Sequence, residues 1–434
     1  MEFSVVEGLR TVKFDLVFSL ALAAAALFAG YFVQRRVGAL SRANIPAAAV
    51  GGLLFACAVF ALRAGGVAGV SLNTTLRSPL QTVFFTTIGL GATTALLRAG
   101  GWRMGLLWLL ATLTAVVQNV VGMALAVALG APALLGIICG ALTLTGGPAT
   151  GLAWADRFEA LGVQGAGSLI IASAMFGIFT SSLVGNPVAT ALIRRRRLAP
   201  RAEEKAEEKA ATEDAFWALS PTIAAEEVEG VGASEDGRAA GRGRGESLSA
   251  GVLLHNLLLV LLVMGVGALF SLLIRHPSFT LPDYIGAMVV AAVVRNLEDR
   301  KGWFRMDARA VELIAGVALA LFMVIALMSL ELWKIAGLAL PMLVILCAQV
   351  LVTSLYAVLV TFPLMGRDYE AAVTAGGHVG FGLGITANAV ANMEALAERF
   401  GPAPRSFLVV PIVGAFFIDF SNALVISLFT GFAR

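Results

Sequence analysis

Apolar runs of about twenty residues, separated by short polar breaks, recur along the chain. That is the pattern of helices crossing a bilayer whose hydrocarbon core is about 30 Å thick. The runs predict spans near Leu16–Val33, Pro46–Leu62, Leu80–Leu97 and Leu106–Leu129, then a glycine-rich apolar stretch at Leu134–Trp154, then a span near Ser168–Ile193. A polar region from Arg194 to Leu248, rich in Glu, Lys, Gly and Arg, buries too little apolar surface to fold alone and reads as a flexible cytoplasmic linker. Within it, Glu203–Ala211 suits a short solvated helix. Spans then resume near Gly251–Ile274, Pro282–Val294, Ala310–Leu330 and Ile335–Phe362, followed by a second glycine-rich stretch at Ala371–Met393 and a span near Phe407–Thr430. The first run reaches full span length and ends in Gln34-Arg35-Arg36, so it reads as a retained helix rather than a cleaved signal.

The halves 1–193 and 249–434 thus share one plan: four spans, a glycine-rich stretch, one more span. Residue matches at an offset of roughly 230–240 positions point to duplication. Phe85-Thr-Thr-Ile-Gly-Leu90 parallels Phe322-Met-Val-Ile-Ala-Leu327, Gln118 parallels Gln349, and Gly146-Gly147 parallels Gly376-Gly377. Gly177 and Asn186 likewise parallel Gly414 and Asn422. Five spans per half is an odd number, so the second half enters the membrane inverted, as in secondary transporters. The predicted fold is an all-α polytopic membrane protein of two inverted-topology repeats of five transmembrane helices. With the N-terminus outside, the inner loops collect Arg35, Arg36, Arg42, Arg98, Arg103, Arg300, Lys301, Arg305 and Arg367. That bias predicts both termini outside and the linker inside.

Each glycine-rich stretch reads as a re-entrant hairpin. Leu142-Thr-Leu-Thr-Gly-Gly-Pro-Ala-Thr-Gly-Leu-Ala-Trp154 has a glycine pair before Pro148, which disfavours helix at Gly147. Ala375-Gly-Gly-His-Val-Gly-Phe-Gly-Leu-Gly384 has five glycines in ten residues, among them Gly376, Gly377 and Gly380. Non-helical backbone survives at membrane depth only beside protein or a polar cavity. The hairpins near 134–154 and 371–393 would enter from opposite sides, their tips meeting near the midplane. A helix beginning after such a tip offers N–H groups to a carboxylate, and freed carbonyls suit a small hard cation. The alternative is that the glycines only let helices pack closely.

Composition agrees with this class and narrows the chemistry. The 434 residues are 59% apolar and 14% charged, with mean hydropathy +0.87. That excludes an ordinary soluble enzyme, and strands of a β-barrel would alternate in shorter segments. A net charge of +3 gives no case for nucleic acid. Cys57, Cys139 and Cys347 lie in apolar runs without metal or disulfide spacing and are read as buried packing. No nucleotide loop or nucleophile motif is present, and no organic cofactor is implied.

Asp419 is the one carboxylate near the middle of a predicted span, and Asn422 shares its helix face; together they suit a sodium-sized cation. A structural hydrogen bond or a proton-coupled role is the alternative for Asp419. No Lys or Arg sits centrally in a span, so an anionic substrate would rely on hairpin N–H groups and on Thr145 and Thr150. His378 is a candidate substrate or gating contact, or else a packed neutral imidazole. Asn388 and Asn392 put two amides on one face beyond it. Asn119, Gln118, Gln349 and Asn186 are weaker candidates, since such residues often just join helices.

Thr143-Leu-Thr-Gly-Gly147, Ala375 to Gly384, Ala391-Asn-Met393, Glu398-Arg-Phe-Gly-Pro402 and Phe407-Leu-Val-Val-Pro-Ile-Val-Gly-Ala-Phe-Phe-Ile-Asp419 resemble the bacterial sodium/glutamate symporters. So do Leu76-Arg-Ser-Pro-Leu80, Phe84-Phe-Thr-Thr-Ile-Gly-Leu90 and Leu340-Pro-Met342. The resemblance spans the chain apart from the linker. It implies sodium as coupling ion, uptake of L-glutamate across the cytoplasmic membrane, a homodimer, and elevator-like movement. Read from the hairpin tips and the polar groups at membrane depth, Thr145, Gly146, Gly147, Thr150, Gly376, Gly377, His378, Gly380, Asn388 and Asn392 are expected to hold substrate, and Asp419, Asn422, Asn119 and Asn186 sodium. Where the family pattern is Gly-Gly-His-Gly-Thr-Gly, this chain reads Gly146-Gly-Pro-Ala-Thr-Gly151, losing an imidazole at Pro148 and a glycine at Ala149. A sodium- or proton-coupled carrier of another di- or tricarboxylate is the nearer rival, and a passive channel the farther one.

Overall fold

A backbone in lipid has no water to bond to, so the apolar runs satisfy their own N–H and C=O groups as helices. A computed structural model describes residues 2–6, 9–38, 40, 45–200, 249–274, 283–332 and 336–433. The first half carries α1 (Leu16–Arg36), α2 (Ala47–Ala64), α3 (Arg77–Gly91), α4 (Thr94–Ala128), the short pair α5 (Ala133–Leu142) and α6 (Gly147–Ala160), and α7 (Ala166–Arg196). The second carries α8 (Ala250–Ile274), α9 (Asp283–Lys301), α10 (Ala308–Met328), α11 (Ala339–Leu364), the pair α12 (Tyr369–Leu383) and α13 (Thr386–Phe400), and α14 (Pro404–Phe432). The linker's expected helix at Glu203–Ala211 lies outside the described residues.

Among the described residues eight helices are long and apolar enough to cross a membrane: α1, α2, α4, α7, α8, α10, α11 and α14. Two expected spans fall short. The run at Leu80–Leu97 divides, because α3 ends at Gly91 and α4 begins at Thr94. Asn296 of α9 fastens that junction, donating to the Ala92 carbonyl at 3.0 Å and accepting from the Thr94 N–H at 2.7 Å. The run after Pro282 gives α9, which carries on past its apolar part through Arg295, Glu298, Asp299, Arg300 and Lys301. The chain also forms a small sheet that the hydropathy pattern did not reveal. Strand β1 (Glu2–Val6) pairs antiparallel with β2 (Leu9–Lys13), and β2 pairs parallel with β3 (Gly69–Ser71).

Contacts between the halves recur with roles exchanged. α1 packs on α10 as α8 packs on α3; α2 on α10 as α9 on α3; α4 on α14 as α11 on α7. Two groupings result. The first three helices of each half pack together, and the fourth helices α4 and α11 join the short pairs and the last helices. The first and second helices of each half meet backbone to backbone through glycines. A Cβ on Gly30 would sit on the Ala47 carbonyl oxygen and 2.8 Å from Gly51 N, and one on Gly267 would sit on the Ala287 backbone beside Gly286. Small residues allow such approach, and close packing takes the place of hydrophobic drive inside lipid.

Cys139 is buried as expected, whereas Cys57 and Cys347 are exposed. An apolar helix in a bilayer presents side chains to lipid as readily as to protein, so apolar surroundings alone do not imply burial.

Gly30→Val is expected to lower the thermal midpoint of the purified protein, an overpacking cost of about 1–3 kcal/mol or more. Gly105→Ala, whose added Cβ meets nothing within 4 Å, should leave it no lower. Equal midpoints for the two variants would contradict the close approach of α1 and α2.

Candidate functional site

Each short pair is a helix, a break and a second helix. In the first pair the chain leaves α5 through wide turns at Ile138–Leu142, with Gly140 outside helical angles. It re-enters helix at Gly147, whose φ of 68° is favourable for glycine alone, with Pro148 in the first turn of α6. The second break lies at Gly384–Ile385, between α12 and α13. It is not at Gly376-Gly377-His378, which stay inside α12. There the glycines serve close packing: a Cβ on Gly376 would be 2.9 Å from that of Ala189, and one on Gly377 would be 2.7 Å from Met393 Sδ. A Cβ on Gly380 would press on the Ala389 backbone. Gly376, Gly377 and Gly380 therefore follow the packing alternative, because helix interiors accept glycine where a neighbour leaves no room for a Cβ, whereas Gly384 of the same run ends the helix.

The two breaks touch. A Cβ on Gly147 would lie 3.2 Å from Ile385 Cγ2 and 3.8 Å from the Gly384 carbonyl oxygen. Buried Gln118 of α4 joins them. Its Oε1 accepts from the Thr145 hydroxyl at 2.7 Å, and its Nε2 donates to the Gly382 carbonyl at 2.7 Å and to Thr353 Oγ1 at 3.1 Å. Gln349 of α11, the sequence counterpart of Gln118, donates to the Gln118 carbonyl at 2.6 Å. Two asparagines hold Ala141 ahead of the first break. Asn119 Oδ1 accepts from its N–H and Asn422 Nδ2 donates to its carbonyl, each at 3.0 Å. Asn422 Oδ1 is buried without a hydrogen-bond partner. Thr143 closes the same segment, donating to the Ile138 carbonyl at 2.6 Å and meeting Ser173 at 2.7 Å.

A cavity of about 420 Å³, its open mouth included, lies where the breaks meet. The first pair contributes Thr145, Gly146, Ala149 and Thr150; the second contributes Phe381, Gly384, Ile385 and Thr386. α14 adds Gly414, Ala415 and Asp419, and α3 closes one wall with Phe84, Phe85 and Ile88. Among these lining residues Asp419 alone is charged, and Thr150 Oγ1 stands 3.5 Å from its Oδ1. The N-termini of α6 and α13 lie at this cavity, and neither has a side-chain cap. In α14 Pro411 cannot donate to the preceding turn, and wide turns follow at Val413–Phe417.

The structure thus brings Thr145, Gly146, Thr150 and Asp419 to one cavity, with Gly147 at the contact between breaks. Other expected site residues stand elsewhere. His378 is buried in α12, with Nε2 3.2 Å from Thr114 Oγ1 and Nδ1 2.8 Å from Thr361 Oγ1. Its ring stacks on Phe381 at 5.1 Å, the arrangement of a packed imidazole. Asn388 donates to the Ile178 carbonyl at 2.7 Å and to Ser181 Oγ at 2.6 Å, and Asn392 to the Ser181 carbonyl at 3.2 Å. Those bonds tie α13 to α7. Asn186 is half-buried on α7 and outside the cavity lining. Thr386, Ile385 and the α3 aromatics were missed from sequence. Thr386 is the first residue of a helix following a glycine run, a signal that was available.

Gln118→Ala would leave the Gly382 carbonyl and the Thr145 hydroxyl buried and unpaired, at a cost of about 1–3 kcal/mol for each. The expected result is a lower thermal midpoint in detergent; a midpoint equal to that of the unchanged protein would refute the bridging role.

The chain is similar to known proteins along nearly its whole length. The family model described as sodium/glutamate symporter matches residues 12–223 and 237–402. The chain is 38% identical over 416 residues to the sodium/glutamate symporter of Escherichia coli K12, covering 96% of this chain and 97% of that protein. It is 34% identical over 409 residues to the one from Haemophilus influenzae, covering 94% and 95%. Kinship along nearly the whole length, joined to eight apolar helices of spanning length, makes the chain a multi-pass membrane protein that belongs to the sodium/glutamate symporter family.

Proposed function

We propose that the protein imports L-glutamate across the cytoplasmic membrane, driven by sodium. The observation that carries this reading is the cavity between two helix breaks in a chain of this family. Two uncapped helix N-termini reach it, offering N–H groups and partial positive charge to carboxylates. Thr145, Thr150 and Thr386 add hydroxyls, and Gly146, Gly147 and Gly384 let the backbone come close. Gly376, Gly377, His378, Gly380, Asn388 and Asn392 act one layer out, holding α12 and α13 in place. Sodium is drawn to the oxygens around Ala141, where Asn119 fixes the peptide and Asn422 Oδ1 is a buried acceptor that lacks a donor.

In this reading the two halves are inverted repeats and the short pairs are re-entrant hairpins. The exchanged contacts between halves support the first point. The lengths of the short helices support the second: α12 has 15 residues, about 22 Å of rise against a core of about 30 Å. The arginine bias of the loops supports termini outside and the linker within. The protein would work as a homodimer whose first three helices per half form a fixed scaffold. The helices around the breaks, α4 and α11 among them, would move as one elevator-like body. Polar links between these bodies are concentrated on α6. Arg77 reaches Asp156 at 3.0 Å and the Leu152 carbonyl at 2.7 Å, and Trp154 donates to the Tyr284 hydroxyl at 2.9 Å.

Labelled L-glutamate uptake into proteoliposomes, with and without an inward sodium gradient, tests the proposal. Accumulation above equilibrium only with the gradient is the expected result. Uptake that never exceeds equilibrium would point to a passive channel, and absence of uptake by folded protein would point to another substrate or ion.

A further inference from the structure

We infer that Asp419 receives the ammonium group of the carried amino acid, and so selects an amino dicarboxylate over a plain dicarboxylate. The inference rests on the proposal that the protein carries glutamate. That substrate bears two carboxylates and one ammonium, and the cavity offers a matching set. The two uncapped N-termini of α6 and α13 suit the carboxylates. Among the lining residues the one charge is the Asp419 carboxylate, with Thr150 beside it. A half-buried carboxylate beside the apolar wall of Phe84, Phe85 and Ile88 attracts an ammonium and repels a third carboxylate more than it would in bulk water.

The spacing of Asp419 and Asn422 pointed to a shared cation site, but the structure gives their side chains different surroundings. Asp419 lines the cavity, whereas Asn422 Nδ2 is bonded to the Ala141 carbonyl ahead of the first break. The unpartnered oxygen of Asn422 leaves sodium a place that does not require Asp419. Its sequence counterpart in the first half also separates the roles. At the offset that matches Asn186 with Asn422, Asp419 falls opposite Leu183, an exposed apolar residue of α7. The carboxylate is therefore not part of the repeated framework; it belongs to what makes this cavity one-sided.

The probe is glutarate, which is glutamate without its amino group. In proteoliposomes the unchanged protein should prefer L-glutamate over glutarate by at least about 100-fold in competition for labelled glutamate uptake, a floor well under the discrimination of about 10⁴-fold that sites built for a polar group can reach against analogues lacking it. In Asp419→Asn that preference should fall below about tenfold through loss of glutamate affinity. Thermal stabilisation in detergent provides a readout when the variant no longer transports. There the glutamate-induced shift of Asp419→Asn should shrink to that of glutarate, while the sodium titration without substrate stays at its original midpoint. Asp419→Glu, which keeps the charge, should retain discrimination with weakened affinity and covers the case in which the asparagine variant does not fold. Undiminished preference for glutamate in Asp419→Asn, or loss of its sodium response, would overturn the inference while leaving sodium-driven glutamate uptake intact. Failure of the unchanged protein to accumulate glutamate would instead remove the reading on which it rests.

Discussion

The structure depends on one constraint: where a helix is interrupted among apolar surroundings, the freed peptide groups must find partners. Gln118 meets that demand at both breaks at once. Its side chain takes the Thr145 hydroxyl from one and donates to the Gly382 carbonyl of the other. Because an unpaired buried polar group is costly, the distance between the two breaks is fixed by the reach of one amide. The cavity, the orientation of both helix N-termini and the place of Asp419 follow from that distance.

Around this centre the same principle recurs with different residues. Ala141 is gripped from α4 by Asn119 and from α14 by Asn422, so the wide turns of α5 keep their shape without water. On the other side, Asn388 and Asn392 fasten α13 to carbonyls of α7. At the base of the second pair, buried Glu370 accepts from Ser406 N at 2.9 Å and Ser406 Oγ at 2.6 Å, holding the start of α14. These amides and hydroxyls do structural work one layer away from the cavity, which leaves its wall to threonines, backbone and a carboxylate.

Much of the fold was legible in the hydropathy pattern because long apolar runs have one low-energy solution in lipid. The first break was legible too, since a glycine pair before a proline has few helical options. The second falls at Gly384–Ile385, the far end of the glycine-rich stretch, rather than at its Gly376-Gly377 pair. Gly376-Gly377 looks like Gly146-Gly147 in one dimension, yet glycine means a break in one pair and close approach in the other. What decides is the neighbour, here Ala189 and Met393, and neighbours are not written in local sequence. For His378 the surroundings favour the packed imidazole of the two readings. A lone imidazole in an apolar run invites a functional reading, but Thr114, far away on α4, and Thr361, at the end of the preceding α11, meet its two nitrogens. The β1–β2–β3 sheet was invisible because its strands are short and its third member lies far along the chain.

The position of Asp419 has a bearing on handedness. A cradle made of two near-equivalent halves reads a molecule almost the same from either end, and such a cradle would admit an asymmetric ligand in two opposed poses. A single carboxylate on α14, whose sequence counterpart on α7 is apolar, makes those poses unequal. The ligand's three charged groups then have one arrangement in which each meets its complement, and three fixed points are the least needed to tell a molecule from its mirror image.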